Sequence, residues 1–116
     1  MSNLIVVKKK IKSFQKTIEV SGDKSLSIRW VLLSSLADGV SEAKNLLISD
    51  DVLSALKAIK KLGIKALFKK NVCKIYGKGI NGYKYKKNIT INAQNSGTLG
   101  RLILGLLINS PFKIKL

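Results

Sequence analysis

The chain alternates short apolar runs with polar turns, and the period of the apolar positions changes along it. Thr17-Ile18-Glu19-Val20 alternates as a strand does. Ser25 to Leu36 follows, with Leu26, Trp30, Leu33 and Leu36 at three-to-four spacing, which predicts a helix with those residues as its apolar stripe, ended by Asp38-Gly39. Trp30 lies within that stripe and reads as core. Val40 to Leu47 reads as a second strand. Ser49 is placed to cap a second helix whose face is Val52, Leu53, Leu56, Ile59 and Leu62, and Gly63 closes it. Asp50 and Asp51 fall in its first turn, where acids complement the helix dipole, and this explains both without a catalytic role.

Ile64 to Phe68 and Val72 to Tyr76 form a hairpin about Lys69-Lys70-Asn71. Gly77 to Asn88 is a loop. Ile89 to Asn92 is a strand, Asn95-Ser96-Gly97-Thr98 a turn, and Leu99 to Ile108 a helix stopped by Asn109-Ser110-Pro111. Phe112 to Leu116 starts a further strand, and Leu4 to Val7 and Ile11 to Phe14 are short leader strands about a lysine cluster. The expected class is α/β (α+β). The expected division is a leader over 1–16, a βαβαββ unit over 17–80, and the start of a second unit over 81–116. Both units share a plan of strand, polar glycine turn, hydroxyl residue and apolar helix, with Ser25 and Arg29 answering to Thr98 and Arg101.

Charge changes the picture in one respect. Twenty-two Lys and Arg face six Asp and Glu, a net charge of +16. The lysines are scattered, and the arginines Arg29 and Arg101 sit inside polar turn motifs rather than on a basic stripe. This favours solvated faces around an anion-binding cleft over a nucleic-acid surface, although Tyr83-Lys84-Tyr85-Lys86-Lys87 interleaves rings and cations. The longest apolar run, Leu99 to Ile108, is broken by Gly100, Arg101 and Gly105, so no membrane partner is expected. Charge after the first apolar residues, rather than before them, is the wrong order for a signal peptide, and a cytoplasmic protein is expected. With Cys73 alone and no histidine, neither a disulfide nor a zinc set is expected.

The chemistry gathers at Gly22-Asp23-Lys24-Ser25-Leu26-Ser27-Ile28-Arg29. A helix start leaves backbone N–H groups unpaired at the positive end of its dipole, a natural seat for an anion. Lys24 adds a point charge and Ser25 a hydroxyl. Arg29 lies on the Ser25 face, with a planar fork suited to carboxylate or phosphate. The plainer account is a helix capped by Asp23 or Ser25 with solvated Lys24 and Arg29, and spacing alone does not separate the two.

The stretch Ser21 to Arg29 resembles the N-terminal signature of the 3-phosphoshikimate 1-carboxyvinyltransferases, the EPSP synthases. Asn45 to Val52 resembles the start of that family's second helix, and Asn95-Ser96-Gly97-Thr98-Leu99-Gly100-Arg101-Leu102 its phosphoenolpyruvate loop. The resemblance runs from about Thr17 to the end of the chain, and covers the first quarter of a family member. It implies repeated βαβαββ units of an inverted α/β barrel, present here incompletely, with a leader that pairs with a second domain. It implies transfer of the enolpyruvyl group of phosphoenolpyruvate to the 5-hydroxyl of shikimate 3-phosphate, with release of phosphate, no cofactor and no metal. Lys24, Ser25 and Arg29 match shikimate 3-phosphate contacts, and Lys24 and Gly97 phosphoenolpyruvate contacts. Asn95, Thr98 and Arg101 match the lining of that pocket, where glyphosate binds in the family. A side chain at Gly97 would intrude on phosphoenolpyruvate, whereas the plainer account of Gly97 is a turn residue at positive φ. The two helix mouths would open into one hollow.

The resemblance also places the proton-transfer residues beyond Leu116, so no catalytic acid or base is expected here and the chain alone is expected not to turn over. The full-length enzyme would be a monomer. Ser21, Ile28 and Leu102 depart from residues common in the family without removing a substrate contact. The sister UDP-N-acetylglucosamine enolpyruvyl transferases usually carry asparagine where this chain has Ser25, and lack the Asn-Ser-Gly-Thr loop. From a different class, a small basic nucleic-acid-binding module is the remaining alternative.

Overall fold

A computed structural model describes residues 4–10 and 12–116. Its elements are α1 (Lys24–Leu36), β1 (Asp38–Lys44), α2 (Asp50–Lys61), β2 (Lys65–Lys69), β3 (Val72–Lys78) and α3 (Gly97–Leu106). The three strands form one antiparallel sheet in the order β1-β3-β2. β3 is central and pairs from Asp38↔Lys78 to Lys44↔Val72 on one side and from Lys65↔Tyr76 to Lys69↔Val72 on the other. The hairpin is turned by Lys70 and Asn71 at φ 49° and 61°, the double positive-φ geometry that follows strand twist. The class is therefore mixed α/β with an antiparallel sheet.

Helix α2 forms as its pattern predicts. Ser49 caps it, Asp50 and Asp51 occupy its first turn, and Lys60 and Lys61 its last, so charge complements the dipole at both ends. Val52, Ala55, Leu56 and Ile59 are buried, whereas Leu53 lies at the edge of that face and is exposed. Gly63 ends the helix at φ 85°.

Helix α1 turns a different face inward from the one its spacing suggests. Ser27, Ile28, Val31, Leu32, Ser34 and Ser35 are buried, while Leu26 and Leu33 are 67% and 64% exposed. Trp30 is half-buried against the core. The reason is that α1 carries apolar residues on nearly every side, so periodicity does not select a face. The small serines let it approach its neighbours closely, and the Ser27 and Ser35 hydroxyls find partners outside the helix in Leu47 and Tyr83. The Ser35 hydroxyl donates to the Leu32 carbonyl and so accepts from the Tyr83 phenol at 2.6 Å. Burial raises the Tyr83 phenol above its ordinary pKa. The core under the sheet unites Ile28 and Leu32 with Ile59, Leu62, Cys73 and Ile75, and extends to Leu99 and Ile103 of α3. Burial likewise raises the Cys73 thiol.

Several expected strands are not formed. Thr17 to Val20 has no ladder, because no strand among the described residues lies beside it; the Asn45 side-chain amide donates to the Val20 carbonyl at 3.1 Å. Leu4 to Val7 is likewise irregular and exposed. Of the expected strand Ile11 to Phe14, Ile11 lies outside the described residues and the rest is not a strand. β1 ends at Lys44 rather than Leu47, because Asn45 turns the chain at φ 56°. The two strands expected around Ile89 and Phe112 shrink to one parallel bridge, Thr90↔Lys115. No helix among the described residues is long and apolar enough to cross a membrane.

Candidate anion site at two helix starts

The start of α1 is built from the backbone outward. Asp23, in extended conformation, caps it, and its carboxylate accepts the Leu26 N–H at 2.7 Å. This settles the cap on Asp23 and leaves the Ser25 hydroxyl out of it. The N–H groups of Lys24 and Ser25 precede the first intrahelical bond, Ser27 N–H to the Asp23 carbonyl, and have no partner among the described residues. Arg29 is exposed and enters no ion pair among the described residues.

This mouth is held against the segment that leads into α2. A Cβ on Gly22 would stand 2.3 Å from the Asn45 carbonyl oxygen and 3.0 Å from the Leu47 nitrogen, so the backbones meet at a distance only glycine allows. One turn on, the Leu47 N–H donates to the Ser27 hydroxyl at 3.1 Å. At the head of α2, the Asp51 carboxylate reaches the Lys24 ammonium at 2.7 Å. The Asp51 side chain is 16% exposed and that of Lys24 54%. Sequence reasoning gave Asp51 only a dipole role. Its pairing across elements leaves no local pattern, and the available signal was a scarce acid opening the second of two helices that both begin in polar turns.

The start of α3 is looser. Ser96 caps it, accepting the Leu99 N–H at 3.2 Å, and the helix begins at Gly97, two residues before Leu99 as expected from the pattern. Gly97 and Thr98 thus sit in the first turn rather than in a loop. Gly97 is not at positive φ, which removes the turn-residue account of it. The nearest atoms a Cβ there would meet belong to the Arg101 guanidinium, at 3.4 Å from its nearest nitrogen, an ordinary contact. Nothing within the described fold therefore demands glycine at this position. Asn95 and Arg101 are exposed and Thr98 is half-buried.

α3 packs on α1 and α2 through the shared apolar core. No hydrogen bond or ion pair among the described residues joins Lys24, Ser25 or Arg29 to Asn95, Gly97, Thr98 or Arg101. A hollow of about 430 Å³ lies elsewhere, beside Tyr83, Tyr85, Leu107 and Phe112. Both rings in Tyr83 to Lys87 line that hollow. The Tyr83 phenol bonds Ser35 and the Tyr85 phenol bonds Ser110, with the Tyr85 ring edge-on to Phe112. Both phenol hydroxyls are thus engaged within the fold.

The fold recurs in solved enzymes. The EPSP synthase from Acinetobacter baumannii superposes on 78% of this chain with a TM-score of 0.71 and 32% identity, and the match covers 20% of that enzyme. The model of the family EPSP synthase (3-phosphoshikimate 1-carboxyvinyltransferase) matches residues 8–116. The chain belongs to the EPSP synthase family. Among its curated relatives, the 3-phosphoshikimate 1-carboxyvinyltransferase of Sulfurihydrogenibium sp. (strain YO3AOP1) is 41% identical over 104 residues, 90% of this chain and 24% of the relative. That of Streptococcus pyogenes serotype M1 is 43% identical over 102 residues, 88% of this chain and again 24% of the relative. The chain thus spans about a quarter of the length of the relatives it matches.

Proposed function

We propose that these residues form part of an enolpyruvyl transferase that joins phosphoenolpyruvate to the 5-hydroxyl of shikimate 3-phosphate and releases phosphate, in the cytoplasm and without cofactor or metal. The fold would then be an incomplete set of the repeated βαβαββ units of an inverted α/β barrel, in an enzyme that is monomeric at full length. The observation that carries the reading is the family match across residues 8–116, which includes both helix starts. In it, Lys24, Ser25, Arg29 and the open amides of Lys24 and Ser25 receive the phosphate and hydroxyl groups of shikimate 3-phosphate. Lys24 also reaches phosphoenolpyruvate, which lies against Gly97 within a lining of Asn95, Thr98 and Arg101. Glyphosate would compete in that pocket. Both substrates are polyanions, and cations with fixed amide donors stabilise them and the charge that moves during transfer. The groups that move protons are assigned to the part of the enzyme not represented here, so the 116 residues by themselves would bind without turning over.

A chimaera tests this. Residues 8–116 replace the matching segment of the Acinetobacter baumannii enzyme, and phosphate release is followed. Release that requires shikimate 3-phosphate is the expected result. A folded chimaera that ignores shikimate 3-phosphate and uses UDP-N-acetylglucosamine would transfer the chain to the sister enzymes. Enolpyruvyl transfer by the 116-residue chain alone would overturn the assignment of the proton-transfer groups.

A further inference from the structure

We infer that Asp51 is a positioning residue for Lys24: it holds the lysine ammonium in front of the α1 amides and so sets how tightly that mouth takes an anion. The inference rests on the functional reading above and adds to it a residue from a different helix. Its basis is the 2.7 Å ion pair between Lys24 and Asp51 and the unequal exposure of the two side chains.

Lysine is a flexible stem carrying a point charge, and an unheld Lys24 would spread that charge over many rotamers. Asp51 is the more covered partner, in the first turn of α2, where the dipole favours its negative charge. It is therefore the fixed end of the pair. The backbone contacts at Gly22 and Ser27 fix the two helix starts against each other, so the distance the pair must span is set by the fold. An ammonium has three donors, and one suffices for Asp51. The others have no partner among the described residues, on a side chain that is 54% exposed. A carboxylate beside an anion site would ordinarily repel the ligand. Here its charge is offset by Lys24 and by the α2 amides, and what remains is the ordering of the cation. The two effects differ in sign, which makes the inference testable.

The test uses the 116-residue chain, wild type and Asp51→Asn, a change that keeps the shape of the side chain. Phosphoenolpyruvate is titrated while the amide resonances of Lys24 to Leu26 are followed. In parallel, the lysines are labelled with an amine-reactive ester and Lys24 is compared with Lys16 by mass spectrometry. Asp51→Asn should weaken phosphoenolpyruvate on the order of fivefold and raise the relative labelling of Lys24. Asp51→Glu should restore part of the affinity. In a Lys24→Met background, Asp51→Asn should change nothing. Unchanged or tighter binding by Asp51→Asn overturns the inference, as does an equal loss in the Lys24→Met background, which would mark a merely structural role. Unaltered labelling of Lys24 overturns it too. A wild-type chain whose amides ignore phosphoenolpyruvate, while the labelling responds to Asp51→Asn, overturns the functional reading and with it any role of Asp51 toward that ligand.

Discussion

The two helix starts have the same ingredients and different support. At α1, a glycine lies against backbone, a serine hydroxyl receives an amide from the neighbouring segment, and the lysine is paired to α2. At α3, a Cβ on the glycine would first meet its own arginine, and Asn95 and Arg101 stand in solvent. Among the described residues, two amides are open at the first and, with Gly97 N–H bonded to the Asn95 carbonyl and Ser96 N–H to that of Ala93, only that of Thr98 at the second. The difference teaches that the first mouth is shaped by contacts inside this chain. The second has its helix in place, but among the described residues no partner holds the side chains of Asn95 and Arg101.

Substitutions can break or sharpen this contrast. The largest effect is expected from Lys24→Ala. Hydrogen bonds to charged groups contribute about 1.5–3 kcal/mol, so both substrates should weaken by at least tenfold in the chimaera. Unchanged Michaelis constants for both would remove Lys24 from between them. Next is Gly22→Ala, whose methyl would collide with the backbone of Asn45 and Leu47. Overpacking of this kind costs about 1–3 kcal/mol, read as a lower urea midpoint. Asp23→Ala removes the α1 cap and should cost about 1 kcal/mol in the same experiment. Gly97→Ala should leave stability within about 0.5 kcal/mol, yet weaken phosphoenolpyruvate more than shikimate 3-phosphate. Large destabilisation by Gly97→Ala would mean that the second mouth is braced after all.

A smaller effect of pH bears on the far end of α1. Tyr83 keeps its proton more tightly when folded, because burial disfavours the phenolate. Its contribution to stability is fully present below the ordinary phenol pKa and is lost as pH rises through the raised one. Tyr83→Phe should therefore flatten the alkaline limb of a stability-against-pH profile. An unaltered limb would place the titrating group elsewhere.

What the sequence made legible follows from how local each signal is. α2 and the hairpin announce themselves, because Ser49, Gly63, Lys70 and Asn71 encode caps and turns within a few residues. The α3 region was legible as a helix but not its first residue, since a Gly-Thr pair reads as turn until Ser96 is known to cap it. The inward face of α1 was not legible. Its buried serines look polar and its exposed Leu26 and Leu33 look like core. The strand expected at Thr17 to Val20 failed for a non-local reason, the lack of a neighbour among the described residues to pair with. Lys24, Ser25 and Arg29 could be marked as a candidate anion seat because their helix start is written locally, whereas Gly97 was marked only through the family resemblance. Asp51 could not, because its partner belongs to another helix.

The central claim is that both helix starts attend the same bound polyanions. Amide spectra of the chain, recorded with shikimate 3-phosphate and phosphoenolpyruvate added together, test it most directly. The account predicts that the resonances of Lys24 to Leu26 and of Gly97 to Leu99 move together along one saturation curve. Movement confined to scattered lysine-rich segments, or at one helix start while the other stays still, would contradict it.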